Sequence, residues 1–263
     1  MLIPPIYGHL LRVRNMDFGV EGNTALGIAS SSGLGKASMY TLAAEGANVV
    51  INGRDRDRLN AAVEEIKSVA TGSVLGVAGD ITNPDDIDNL VDRTVEEFGE
   101  LDHLVISSGG PPRRTFGEST DQEWYDAYDL MIMSAVRTIR AARPHLESGT
   151  GGSIVCITSR RTKEASPNNI LSSSVRMCIP GLMKALSRDL APAVRVNEVR
   201  PGPFTTPRND PSTWDQKRQS IPLDRLGDPL EFGQVVAFLS SDRSGYLTGA
   251  SFPVDGGSTH ATL

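Results

Sequence analysis

Short apolar runs recur along this chain, each separated from the next by a longer stretch of helical periodicity, and the alternation is unbroken from residue 24 to residue 254. The strand-like runs fall at 24–29, 48–52, 73–78, 101–107, 153–158, 194–199 and 251–254. Most are continuously apolar, as in Asn48-Val49-Val50-Ile51, which is how strands covered on both faces of a parallel sheet read. Helical patterns fill 33–45, 56–69, 85–98, 123–143, 172–190 and 230–240. Asn83 followed by Pro84 is a helix start, an N-cap side chain with proline at the first helical position. Six strand–helix alternations and a last strand, joined by right-handed crossovers, predict a single α/β domain. Its sheet is doubly wound and parallel, of about seven strands, with a ligand crevice at their carboxyl ends.

Composition narrows the function. A length of 263 residues suits one domain with a substantial core. A net charge of -6 argues against a nucleic-acid surface, which needs a basic face. No run approaches the roughly 20 apolar residues that span a bilayer. Residues 1–20 are read as an N-terminal extension and 21–263 as the domain. The first fifteen residues are interrupted by Pro4, Pro5, His9, Arg12 and Arg14 and lack a basic start or a small-residue cleavage pattern, so they are not read as a signal peptide. They form either a flexible extension from an upstream start, with Met16 as the alternative start, or an oligomer contact. Cys156 and Cys178 fall in a predicted strand and helix and read as buried free thiols of a cytoplasmic protein, with one disulfide as the alternative. The four histidines are scattered, and no Cys/His spacing suggests a metal site.

After the first strand comes Ser30-Ser31-Ser32-Gly33-Leu34-Gly35, opening a helix. Glycines there permit a tight turn and let backbone N–H groups meet a pyrophosphate at the positive helix end, the Rossmann-type arrangement. Ser31, Ser32, Gly33, Leu34 and Gly35 are therefore candidate cofactor-binding residues. The second strand ends Asn52-Gly53-Arg54. Gly53 offers no carboxylate to a ribose 2′-hydroxyl, and Arg54 brings a planar fork suited to a 2′-phosphate, which favours NADP(H) over NAD(H). A solvated turn cation is the other reading of Arg54.

Further motifs join these. Asp80-Ile81 follows the third strand, Pro201-Gly202 with Thr206 follows the sixth, and Tyr246-Leu247-Thr248-Gly249 precedes Val254-Asp255-Gly256-Gly257. Together they resemble the short-chain dehydrogenase/reductase family, close in layout to carrier-protein ketoacyl reductases, over about residues 23–258. The resemblance implies that Asp80 and Ile81 contact adenine and that Pro201, Gly202 and Thr206 hold the nicotinamide carboxamide. It also implies a cytoplasmic homo-oligomer, most simply a tetramer, with 123–143 and 172–190 forming one isologous interface. Two positions depart from the family's glycine turn: Ile28 lacks a bracing hydroxyl, and Ala29 adds a methyl. Ile106-Ser107-Ser108-Gly109 replaces an Asn-Asn-Ala-Gly segment; Ser108 and Gly109 are counted with the cofactor-binding residues.

The catalytic positions depart further. By the same resemblance Ser159 is the serine that polarises the substrate oxygen. The tyrosine position is Ser172, the lysine position is Arg176, and the asparagine position falls at Met131. An aliphatic hydroxyl is far less acidic than a phenol, and arginine stabilises anions without shuttling protons. Ser159, Ser172 and Arg176 remain candidate catalytic residues, with Arg176 also beside the cofactor. Arg113, Arg114, Arg160, Arg161 and Lys163 form either a solvated basic loop or a pocket for an acidic small-molecule substrate, such as a carboxylate or an acyl-carrier phosphopantetheine. Three functions follow: an oxidoreductase on a carbonyl/alcohol pair with altered acid–base residues, an NADP(H)-binding sensor or scaffold without turnover, or a lyase similar to halohydrin dehalogenases.

Overall fold

Seven parallel strands form one sheet in the order β3-β2-β1-β4-β5-β6-β7 in the computed structural model, which describes residues 17–149 and 151–262. The strands are β1 (Thr24–Gly27), β2 (Asn48–Gly53), β3 (Val74–Ala78), β4 (His103–Ile106), β5 (Gly152–Ile157), β6 (Val194–Pro201) and β7 (Ser251–Val254). The order reverses between β1 and β4, and the crevice beside such a reversal is where doubly wound sheets bind ligands. The expected single-domain, seven-stranded Rossmann-type sheet is observed.

The apolar runs are continuous because neighbouring residues of one strand enter opposite cores. Leu26 and Val50 face a core covered by α3 (Pro84–Phe98), α5 (Ser134–Ser148), α6 (Ile170–Val175) and α7 (Cys178–Asp189). Ala25, Val49 and Ile51 face the other core, under α1 (Gly33–Ala44), α2 (Arg56–Lys67) and α9 (Pro229–Ser240). Each fully buried Leu or Ile contributes about 1.5–3 kcal/mol, so both faces stabilise the sheet. Asn83 caps α3 as its sequence predicts, its side chain accepting from the Asp85 N–H at 3.1 Å with Pro84 next to it.

Two predicted helices are divided. The stretch 123–143 begins earlier, as α4 (Asp121–Tyr128), because Thr120 and Glu123 form a reciprocal capping box. It then widens into a π-type turn at Asp129–Met133 before α5. The stretch 172–190 breaks between α6 and α7 at Arg176–Met177. Pro180 explains this, since a proline ring clashes with the carbonyl four residues earlier, here that of Arg176. A short helix α8 (Trp214–Arg218) lies in the segment after β6, where no helix was predicted.

Residues 17–20, assigned to the extension, contact the domain. Val20 is fully buried, and the Asp17 carbonyl accepts from Arg243 Nε at 3.0 Å. Residues 1–16, including the proposed extension and the alternative start at Met16, lie outside the described residues. Both cysteines are free; Cys156 is buried, but Cys178 is exposed at the start of α7, against the expectation of two buried thiols. No helix among the described residues is long and apolar enough to cross a membrane.

Candidate functional site

A cleft of about 720 Å³ opens along the carboxyl ends of the strands. Every residue predicted to bind cofactor or to act in catalysis lines it: Ser31–Gly35, Arg54, Asp80, Ile81, Ser108, Gly109, Ser159, Ser172, Arg176, Pro201, Gly202 and Thr206.

The turn at the first strand is built to receive an anion. Ser32 caps α1 with its backbone only; its hydroxyl makes no capping hydrogen bond, and the first turn of α1 has no acidic residue. Those N–H groups and the positive helix end are left to a bound phosphate. Gly33 has φ +59°, and a Cβ on Gly35 would stand 3.1 Å from the Ala29 carbonyl oxygen and the Ser30 Cα. The residues present thus fit a dinucleotide pyrophosphate.

The bracing that Ile28 cannot provide comes from elsewhere. Ser30 Oγ donates to the Gly27 carbonyl at 2.6 Å, and the buried Asn52 side chain accepts from the Ala29 N–H at 3.1 Å. The Asn52 amide also donates to the Val77 and Gly79 carbonyls, both at 3.1 Å, tying the turn to β3. Read in sequence, Asn52 was only the end of a strand. Ala29 carries strain, with φ +45° in the left-handed region. Ala29→Gly is expected to raise unfolding stability by about 1 kcal/mol, the cost of a Cβ in that conformation. Denaturant titration checks this, and an unchanged midpoint would remove the strain argument.

At the adenosine end, Arg54 is largely exposed and pairs with Asp80 Oδ2 at 3.3 Å. Burial alone would raise the Asp80 carboxyl; the Thr82 amide and hydroxyl, with Arg54, outweigh it and hold the group below its ordinary range. A side chain at Gly53 would meet Ser31, whose Cβ lies 2.7 Å from where the Gly53 Cβ would be. Arg58, in the first turn of α2, joins Arg54 in the cleft wall. Sequence reading missed it because a basic residue in a first helical turn carries no signal of its own.

Ser172 and Arg176 are one turn apart on α6 and its end, and Arg176 Nε donates to Ser172 Oγ at 3.0 Å. Arg176 also donates through Nη2 to the Gly109 carbonyl, joining the loop after β4 to α6. Both side chains are buried. Burial, then the nearby Arg208, pushes the Arg176 guanidinium down to about 10, so it stays cationic at neutral pH. Ser159 is half-buried, and its hydroxyl accepts from the Arg161 N–H at 3.2 Å, capping a short 3₁₀ turn.

Met131 does not reach the cleft: it is 1 % exposed and packs in the core beneath α5, while Leu130 lines the cleft. The wider π-type turn changes which residue of this segment faces the strand ends. No register count along a regular helix registers such a change.

Arg195 and Asn197, in β6, are structural. Arg195 donates to the carbonyls of Leu239, Ser240, Ser241 and Ser244 at the end of α9. Asn197 donates to the Leu247 carbonyl at 2.8 Å and accepts from the Ala250 N–H at 3.1 Å. A Cβ at Gly202 would stand 2.6 Å from the Asp255 Cα, so glycine lets the Pro201–Gly202 turn touch the C-terminal segment.

Residues 27–259 match the family described as enoyl-(acyl carrier protein) reductase. The 3-oxoacyl-[acyl-carrier-protein] reductase of Staphylococcus epidermidis is 30% identical, over 89% of this chain and 98% of that protein. The structure of L-sorbose reductase from Gluconobacter frateurii, complexed with NADPH and L-sorbose, is similar with a TM-score of 0.88 and 29% identity, covering 94% of this chain and all of that one. A short chain oxidoreductase from Pseudomonas aeruginosa, described as containing an atypical catalytic center, has a TM-score of 0.86 and 27% identity, covering 92% of this chain and 99% of that one.

Proposed function

The chain belongs to the short-chain dehydrogenase/reductase family of oxidoreductases, and from that membership we propose that it is an NADP(H)-dependent enzyme acting on a carbonyl/alcohol pair with a substituted acid–base set. One observation carries this reading: Ser159, Ser172 and Arg176 line the same cleft as the glycine turn, Arg54 and the Pro201–Thr206 loop. The nicotinamide, when bound, supplies or accepts the hydride. The hydroxyls of Ser159 and Ser172 and the unused donors of Arg176 polarise the carbonyl oxygen and stabilise the charge that develops on it. Among the described residues no phenol lines the cleft beside them, so the final proton comes from water and turnover is slow. The similarity to a Pseudomonas short chain oxidoreductase described as containing an atypical catalytic center supports an oxidoreductase of unusual composition.

A second reading rests on the Arg176 contacts. Its bonds to Ser172 and the Gly109 carbonyl hold two segments together, which suits an NADP(H)-binding protein without turnover. NADPH oxidation over a panel of ketones and aldehydes separates the two: saturable turnover supports the enzyme, and tight NADPH binding with none supports the sensor.

NADPH is expected to bind more tightly than NADH, since Arg54 and Arg58 line the adenosine end and Gly53 offers no carboxylate. Arg54→Ala should weaken NADPH by about 1–2 kcal/mol, because the pair it loses is exposed and shared with Asp80, and should leave NADH unchanged. Equal affinities of the unaltered protein for the two cofactors would remove the NADP(H) preference. A cytoplasmic homotetramer completes the proposal. Tyr125, Tyr128 and Met177 are exposed on or beside the helices assigned to the interface, at 71%, 47% and 45%. Sedimentation of a monomer at micromolar concentration would rule the assembly out.

A further inference from the structure

Charge is distributed unevenly along the cleft. Among the described residues its lining carboxylates are Asp55 and Asp80, and both stand at the adenosine end beside Arg58 and Arg54. Around Ser159 and Ser172 the wall carries Arg113, Arg160, Arg161, Arg176, Arg208 and Lys217 and no carboxylate. None of these six enters an ion pair among the described residues, whereas surface arginines of the same region do, Arg218 with Asp224 and Arg225 with Glu231. Six cations without an ion pair in a chain of net charge -6 repel one another.

They stand close enough to feel each other. Burial, then Arg113, holds both Arg208 and Lys217 below their ordinary ranges. Arg208 also has a shaped seat. A Cβ on Gly110 would lie 2.5 Å from its Nη2 and 2.7 Å from its Nη1, so the guanidinium rests where that side chain would be. Gly110 is not among the residues of positive φ, so its backbone does not demand glycine; a Cβ there would instead displace the guanidinium. Lys217 is held from behind, its Nζ donating to Asn209 Oδ1 at 2.8 Å.

We propose that Arg208, seated on Gly110 and flanked by Arg113 and Lys217, determines specificity by binding a compact oxyanion of the substrate, a carboxylate or a phosphate. A guanidinium fork meets either group through two parallel hydrogen bonds, and a positive cleft draws such substrates in. The substrate is then an oxo or hydroxy compound that carries this anion. This rests on the reductase reading for its reaction, but the anion site itself is separable from turnover.

The test uses the full chain with two unreactive probes, sodium malonate for the carboxylate and inorganic phosphate for the phosphate. Calorimetry measures their binding with and without NADP⁺. One or both should saturate, and the tighter of the two names the anion. Arg208→Met should weaken it by about tenfold or more, as for one charge-assisted hydrogen-bonded pair. Gly110→Ala, which keeps the charge but displaces it, should weaken it as well, and Arg225→Met should not. NADPH affinity is the folding control and should hold in all three. In turnover, Arg208→Met should lower kcat/KM for acetoacetate and leave its methyl ester unaffected. No saturable anion binding, or equal affinity in folded Arg208→Met, would overturn the anion site and leave the reductase reading standing. Anion binding that obeys these variants without turnover of any carbonyl would keep the site and remove the reductase.

Discussion

Replacing Ser172 by Tyr and Arg176 by Lys together is expected to raise the turnover of a small ketone by up to about 10²–10⁴-fold, the contribution of general acid–base catalysis. Residue 172 lies within the cleft lining, so a phenol there enters the same space as Ser159. A lysine one turn later supplies a compact cation that lowers the pKa of that phenol and replaces the guanidinium held by the Gly109 carbonyl. The gain has a packing cost. Ser172 is 5 % exposed, and a larger side chain in such a site typically costs about 1–3 kcal/mol. A relay asparagine belongs at Leu130, which lines the cleft, and not at Met131, where an amide would be buried in the core. The measurement is kcat with NADPH for the double variant and for the triple variant with Leu130→Asn. Folded, cofactor-binding variants with no gain on any ketone would show that the cleft had been reshaped for a different task.

Acid should destabilise this protein through His103. Burial, then the positive charge of Arg195, pushes its imidazole down to about 4 from an ordinary value of 6.5. Its two nitrogens are engaged, Nδ1 with Ser153 Oγ at 3.0 Å and Nε2 with Asn23 Nδ2 at 2.9 Å, so the ring is held neutral at the start of β4. As pH falls below 6.5 the unfolded chain binds a proton that the folded one refuses, until the folded group titrates near 4. Stability from this group is therefore present above pH 6.5 and is lost across the window down to 4, by about 3 kcal/mol. His103→Gln keeps a donor and an acceptor without the titration. Its urea-derived stability should fall less over the same window, and parallel curves for the two proteins would sink the assignment.

Much of this molecule is legible in the chain itself. The two-core sheet follows from runs such as Val49-Val50-Ile51, whose alternate residues enter opposite layers, and the Asn83-Pro84 helix start from local capping chemistry. Most of the predicted cleft residues were found because they sit just past a strand, and a parallel sheet carries every such end to one edge; Ser172 and Arg176, on α6 and its end, came from the family resemblance. What the chain did not disclose depends on contacts between distant segments. The π-type turn that puts Leu130 rather than Met131 in the cleft belongs to a helix whose periodicity looks regular. The bracing of the glycine turn by Asn52 joins residues of β2 to those of β1 and β3. Arg208 comes from an irregular segment and Lys217 from the short helix α8, where a basic residue has no long period to mark it; only the folded chain seats Arg208 against Gly110 and near Arg176. Periodicity and capping are properties of a few neighbouring residues and survive in the one-dimensional chain. The direction of a loop side chain is decided by long-range closure, and that exists only once the sheet has formed.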